Sequence, residues 1–490
     1  MKKLLIAAAA FFSFTAHAQK NVLLDQSFWK NSPDVTAVKA AIEQGNSPSQ
    51  FNGATFDPVV LAINSGAPNA TVQYLLSQPG NPVDKLTHDG RTYLHWAASK
   101  GNTEIMEYLI AKGSKANVID SHGSTPLNFA AGGGQQNTTV YDLCLASGAN
   151  LKKDVNHEGA NALLIAVAND KDFSITNYFV SKGLDLKSSD AAGNNAFSYA
   201  ARGGNIEILK TLLQKGVPAN PTAMLMAAQG SRRGANSIEV YQFLESLKIK
   251  PTVVGKNGET ALHSVVRRPK QDDIVRYFLS KGVDVNKADE DGNTAFMNAS
   301  ASNPDTAVLA LLAPGLKNIN QTNNKGLTAL AMAVRSNSPA VVNYLIAKGA
   351  SLNAVDANGD NLAYYLIQSY GPRTAADFDV KMKLLQDKGL KITEAQKNGN
   401  TLYHLAVAKN DLSLVKKLAS FQIDVNAKNN EGITALHKAA MISKDDVMLK
   451  YLISIGAKKD ILTSFDETAF DLAGENEFLT KNNVTVNFLK

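Results

Sequence analysis

The chain has 490 residues, 44% of them hydrophobic and 7% aromatic, and a formal charge of +6. That surplus is mild and forms no long single-sign run, so the sequence lacks the sharp basic stripe of a nucleic-acid binder. One cysteine excludes an internal disulfide, and stability has to come from packing.

The first element is MKKLLIAAAAFFSFTAHAQ: Lys2 and Lys3, an apolar run from Leu4 to Phe14, then the small-x-small site Ala16-His17-Ala18. This pattern predicts a secretory signal peptide over 1–18, cleaved after Ala18, with an apolar run too short to span a bilayer. Cleavage takes the charge from +6 to +4 over 472 residues. No cysteine follows the site to carry a lipid, and no later apolar run approaches the roughly 18 residues of a spanning helix. The expectation is an exported protein, periplasmic or secreted, with no membrane insertion after cleavage.

Residues 19–52 read as an N-terminal capping half-repeat. VLLDQSFWK (22–30) is its shortened first helix, and SPDVTAVKAAIEQGN (32–46) its second, with Ser32 as cap and Pro33 at the first position. A degenerate unit opens near Gly53. From residue 89 the chain repeats itself. DGRTYLHWAA returns as HGSTPLNFAA from His122, NGETALHSVV from Asn257, DGNTAFMNAS from Asp291, KGLTALAMAV from Lys325, NGNTLYHLAV from Asn398 and EGITALHKAA from Glu431. The anchoring glycines, Gly90 to Gly432, are mostly 33 or 34 residues apart, and such a period signals a solenoid.

Each unit predicts the same parts. A first helix starts at a threonine able to cap free backbone N–H groups, a polar break follows, and a second helix carries apolar residues at helical spacing, as in IMEYLIAKG (105–113). A closing glycine suits a left-handed C-terminal position. An extended piece then turns into the next unit. Paired alanines such as Ala97-Ala98 and Ala439-Ala440 are small where neighbouring helices must approach closely. Cys144, in VYDLCLASG, sits among apolar helix residues as a small filler rather than a reactive thiol. The repeats run over 53–465, and 466–490 reads as a C-terminal capping repeat; about thirteen units fit in all.

Glycine, threonine, leucine, histidine and alanine recurring in register resemble the ankyrin repeat over almost the whole chain after the leader. The resemblance implies an all-α solenoid of stacked helix–turn–helix units with short β-turn fingers, whose concave groove binds proteins. It also implies that His95, His263, His404 and His437, which follow T-x-x, are structural and bridge backbone groups of adjacent turns. A catalytic or metal-binding role would need converging partners within about 3 Å. The sequence offers no G-x-S-x-G, H-E-x-x-H, C-x-x-C or phosphate-cradling glycine loop. Neither a catalytic residue, a metal ligand nor a cofactor is therefore expected.

Departures from the repeat mark the candidate surface. His88, His122 and His157 fall at three consecutive finger tips beside Asp89 and Glu158, either as a weak metal or pH-sensitive patch or as plain exposed turn residues. Enlarged loops at 132–139, 229–237, 267–273, 300–305 and 369–379 should form one ridge. Arg232, Arg233, Arg267, Arg268 and Lys270 give that ridge either a patch that steers an acidic partner or an ordinary solvated edge. The finger before Thr222 is missing: GVPANPTAMLMAA passes almost directly from helix end to threonine, as a docking gap or a decayed repeat.

Residues around the turn glycines vary freely and are candidate partner contacts: His88, Asp89 and Arg91; Lys256, Asn257 and Glu259; Glu290, Asp291 and Asn293; Lys397 and Asn398. Leu327 and Ile433 add apolar side chains after the glycine, as interface anchors or as scattered surface apolars. The reading is a monomeric, non-catalytic scaffold, inhibitor or chaperone that binds another protein in the bacterial envelope. The alternative is a glycan- or peptidoglycan-binding groove using Tyr364, Tyr365 and Tyr370.

Overall fold

The computed structural model describes residues 21–231 and 234–490. The leader at 1–18 therefore lies outside the described residues, as do Arg232 and Arg233. Helices account for the regular structure, and only four isolated β-bridges accompany them among the described residues. The chain divides into two compact units, 1–223 and 224–490, and the division falls at the missing finger.

The helix pair that follows the first finger shows how sequence makes the unit. Helix Tyr93–Lys100 starts at Thr92 and stops at Gly101, whose φ of 73° is left-handed. It is buried almost all round, from Tyr93 to Ala98, because it lies between neighbouring first helices. Helix Thr103–Ala111 is capped by Asn102, whose side chain accepts the Ile105 N–H, and buries only Ile105, Met106 and Leu109. A one-sided stripe of this kind is what an outer-layer helix needs. The same division recurs in Ala196–Gly203 with Ile206–Gln214, and in Ala261–Val265 with Asp272–Ser280. Close approach of first helices demands small residues. A Cβ on Gly203 would collide with the Ala168 carbonyl oxygen.

Three local expectations change. The second helix of the N-terminal cap is Val35–Glu43, capped by Asp34 through the Ala37 N–H, and not a helix started by Ser32 and Pro33. Ser32 has a φ of 46°, a left-handed turn residue rather than an extended cap. Ahead of it, residues 22–30 form a 3₁₀ turn, Val22–Leu24, and one helical turn, Gln26–Trp29. The expected loop at 369–379 is shorter than read, because Ala375–Asp387 is a helix of 13 residues that begins within it.

Fingers are built by short polar side chains. Asp120 Oδ1 accepts the backbone N–H groups of His122 and Ser124 at 2.9 and 2.8 Å, closing the turn on itself. Asp190, Asp289, Asn323, Asp356 and Asn429 do the same in their own fingers. Successive fingers are then tied by main-chain bonds: Ser121 N to Asp89 O at 2.8 Å, His157 N to His122 O at 3.3 Å and Ala191 N to Glu158 O at 3.0 Å in the first unit. In the second unit Glu290 bonds Asn257 O, Asn324 bonds Asp291 O, Ala357 bonds Lys325 O and Asn430 bonds Asn398 O. Gly326 shows why the turn residue is glycine: its φ is 76°, and a Cβ would lie 2.5 Å from the Ala357 nitrogen. In the shortened segment 217–222 the side chain of Asn220 reaches back to Gly193 O at 2.8 Å instead.

Candidate binding surface

The framework histidines come first because they fix the fingers. His95 Nδ1 lies 3.2 Å from the Thr92 nitrogen, and Nε2 lies 3.1 Å from Ser124 O in the next unit. An N–H facing one ring nitrogen and a carbonyl facing the other require the neutral ring protonated on Nε2. His263 reaches Asn293 O at 3.1 Å, His404 reaches Ile433 O at 2.8 Å and His437 reaches Ile461 O at 2.9 Å, each with Nδ1 on its own threonine. Burial lowers the affinity of all four for a proton, in His95 to a pKa of about 4. Both nitrogens of each ring are engaged by the frame, leaving neither for a metal or a substrate.

Asp89 is the one carboxylate that gathers the first finger-tip residues. Its Oδ2 is 2.9 Å from Arg91 Nη1 and 3.4 Å from Nε2 of both His88 and His122. Burial pushes the Asp89 carboxyl up, but Arg91 and the histidines outweigh it and hold it below the usual carboxylate range. Only two of the three tip histidines meet there; His157 packs over Gly123. Among the described residues no group of three or more His, Cys, Asp or Glu side chains is placed to hold a metal ion.

Several candidate contacts belong to the frame instead. Arg91 is 6% exposed, with Nε on Asp120 Oδ2 at 2.9 Å and its guanidinium 4.3 Å from the Phe129 ring centroid. Asn293 gives its carbonyl to His263 and its Oδ1 to Asn323. Glu259 accepts the Asn257 N–H, standing in for the turn-closing Asp or Asn that Gly255 cannot supply. Arg267 bonds Asn298 Oδ1 and His263 O, while Arg268 bonds the carbonyls of Gln229 and Ser231. Of the described basic ridge, this leaves Lys270 exposed without such a tie. Ile433 and Leu327 are half-buried, not exposed: their N–H groups bond the turn-closing Asn429 and Asn323, which draws both side chains against the finger.

The exposed tips are Lys256, Asn257, Glu290, Asp291, Lys397, Asn398 and His122, with His88 and Asp89 half-buried. Their carbonyls or neighbours sit in the finger ladder, so the backbone is fixed while the side chains face solvent. Of the aromatics considered for sugars, Tyr365 and Tyr370 are core residues. Tyr365 donates to Asp356 at 2.5 Å, and Tyr370 packs edge-on against Phe378. Tyr364 alone stays half-exposed, in an open pocket of about 320 Å³ whose lining includes Leu327, Arg335 and Gln368. Sequence reasoning missed Arg335, which follows the repeat's small-residue core without any motif of its own.

The family model described as ankyrin repeats in three copies matches overlapping segments from 59–152 through 403–487. The chain belongs to the ankyrin-repeat family. Among similar proteins, transient receptor potential cation channel subfamily A member 1 of Homo sapiens is 24% identical over 413 residues, covering 74% of this chain and 36% of its own length. Alpha-latroinsectotoxin-Lt1a of Latrodectus tredecimguttatus is 25% identical over 393 residues, covering 73% of this chain and 26% of its own. The RelA-associated inhibitor of Mus musculus is 28% identical over 133 residues, 27% of this chain and 16% of its own. The chain thus spans about a third or less of the length of these relatives. No helix among the described residues is long and apolar enough to cross a membrane.

Proposed function

We propose that this ankyrin-repeat chain is a non-catalytic scaffold that binds another protein along its finger tips and inner helices, as an exported protein of a bacterial envelope. The observation that carries the reading is the finger ladder: main-chain bonds from Asp89 O to Ser121, and from Asn398 O to Asn430, fix the finger backbones while the side chains of Lys256, Glu290, Asp291 and Lys397 stay exposed. A surface whose backbone is fixed in advance loses little entropy on binding. Strongly perturbed groups such as His95 and the tyrosines paired with Asp57, Asp190 and Asp356 have partners inside the frame, so their shifts do not mark an acid–base site. The inhibitor role printed in the name of one relative is compatible with such a surface. Export rests on the Lys2-Lys3 charge and the apolar run that follows.

The test is capture from periplasmic extract on the immobilised chain, with a matched chain in which Lys256, Asn257, Glu290 and Asp291 are all alanine. One dominant protein retained by the first and released by the second supports the reading. Retention of the same proteins by both, or of none, overturns it. Tyr365 and Tyr370 lie in the core, so a tyrosine platform for glycan is not available, and no second reading is put forward.

A further inference from the structure

The unit closed by the finger at Gly359 lacks the threonine–histidine tie that four other units make. Asn361 stands where most units have threonine, and Tyr364 stands where His95, His263, His404 and His437 stand. The tie has moved to the next finger. Gln396 Oε1 accepts the Asn361 N–H at 2.8 Å, the bond that histidine Nδ1 makes elsewhere, and Gln396 Nε2 returns a bond to Asn361 Oδ1 at 3.1 Å. Tyr364 is thereby released from the frame, and its hydroxyl makes no hydrogen bond among the described residues.

The released ring forms one wall of the 320 Å³ pocket. Tyr365 holds it edge-on, with centroids 5.1 Å apart and planes at 87°, and Tyr365 is itself anchored by Asp356 at 2.5 Å. Leu327 supplies a second apolar wall on a finger locked by the bond from Ala357 N to Lys325 O at 3.0 Å. Two cations stand in the same lining: Arg335, exposed on the last turn of helix Ala329–Ser336, and Lys325, exposed at the finger tip. Neither has an ion-pair partner among the described residues. The one carboxylate of the lining, Asp356, has Oδ1 on the Asn358 and Asp360 N–H groups and Oδ2 on Tyr365.

We infer that this pocket seats one aromatic or long aliphatic side chain of the partner, beside an acidic residue that pairs with Arg335 and Lys325. The volume is at the small end of ligand sites and suits a single large side chain. A pre-formed socket of mixed polar and apolar lining, with Tyr364 and Leu327 as apolar walls and an unpaired guanidinium at its rim, has the composition of an interface hot spot. This inference rests on the scaffold reading above, and the partner class it commits to is an acidic peptide segment of a protein.

The test pans a displayed random heptapeptide library on the full chain, then measures anisotropy of the enriched peptides. Expected are peptides that join Phe, Tyr, Trp or Leu to Asp or Glu, bound at least tenfold more weakly by Arg335→Glu and by Tyr364→Ala. Arg335 is exposed, so its variant folds as the parent does, and Lys458→Glu at a distant exposed site should change affinity less than twofold. Enriched peptides without that pattern, peptides indifferent to both pocket variants, or no enrichment at all each overturn the inference. A partner captured from extract equally well by the wild type and the two pocket variants overturns the pocket while leaving the scaffold standing. Retention on insoluble peptidoglycan that Tyr364→Ala abolishes would replace the peptide with a sugar.

Discussion

Replacing His95 with asparagine separates the hydrogen-bonding role of the framework histidine from its titration. Asparagine is the frame's own substitute: Asn128 occupies the equivalent place and donates to Asp154 O at 3.1 Å. His95 is fully buried and takes the Thr92 N–H on Nδ1. A proton there would remove the acceptor and set two N–H groups against each other in a site closed to bulk solvent. Burial lowers its pKa from 6.5 to about 4. The folded value lies below the unfolded one, so the unfolded chain takes up the proton first as the pH falls. Stability that is fully present above pH 6.5 is lost down to pH 4, a gap worth about 3 kcal/mol at 1.36 kcal/mol per pH unit. The assay is urea unfolding followed by tryptophan fluorescence at pH 7.5 and pH 4.0, in wild type and His95→Asn. Both tryptophans, Trp29 and Trp96, report on the first unit. The variant should be weaker by about 1 kcal/mol at pH 7.5, yet lose about 3 kcal/mol less than wild type on acidification. Carboxylates common to both proteins cancel in that difference. An equal acid loss in the two proteins would show that His95 is not held neutral, and the frame-tie argument would fail.

Lys381 offers the alkaline counterpart. The residue is 2% exposed, its ammonium donates to Val334 O at 2.8 Å and Asn337 O at 3.3 Å, and burial lowers its pKa from 10.5 to about 8. The folded value is again below the unfolded one, so the fold bears a penalty that is full below pH 8 and fades as the pH rises through 10.5. Relative to Lys381→Met, wild type should gain about 2 kcal/mol between pH 7 and pH 10 in urea titrations, and a constant difference would refute the shift. Gly203→Ala forces a methyl against the Ala168 carbonyl and should destabilise by about 1–3 kcal/mol. Gly474→Ala, within helix Ala469–Glu475 and facing open space, should be neutral or stabilising by up to about 1 kcal/mol, both variants being followed by circular dichroism in urea because the tryptophans lie in the first unit only. Similar losses in both would mean that close helix packing is not why Gly203 is small.

The helix pairs and threonine starts were legible because each recurs at a fixed offset from a glycine, and a repeated pattern averages out local ambiguity; the histidine ties were implied by the resemblance to the ankyrin repeat. The finger closure was legible too but overlooked: Asp120, Asn156, Asp190, Asp289, Asn323, Asp356 and Asn429 all lie three residues before the turn glycine. Reading only forward from the glycine hid the acceptor that makes the turn. The misplaced surface residues have one cause. Arg91, Asn293 and Glu259 flank a glycine in sequence, but at such positions the chain alternates between facing solvent and facing the next finger, and composition does not say which. Arg91 lies over Phe129 and reaches Asp120, a residue 29 positions away, and only the stacked geometry shows it.

A departure from the repeat is therefore evidence of function only after the frame's own needs are settled. Three departures show the frame repairing itself. Gly255 lacks a turn-closing oxygen and Glu259 provides one. Tyr370 stands where Asn303 and Asn337, nine residues after their threonines, bond carbonyls of the preceding unit, and the Lys381 ammonium takes over such a pair of carbonyls. Tyr364 displaces a histidine and Gln396 restores the tie. In the first two cases the replaced position is filled by a turn residue or by core packing against Phe378, and nothing is left over. In the third, the repair leaves a half-exposed aromatic ring beside a half-buried leucine and two unpaired cations. Tyr364 gains packing from its edge-on contact with Tyr365, but its hydroxyl makes no hydrogen bond among the described residues and its other face lines the pocket, and that surplus is what a binding partner would use. This asymmetry, more than exposure or charge alone, is the physical reason to look for recognition at Tyr364 before the finger tips.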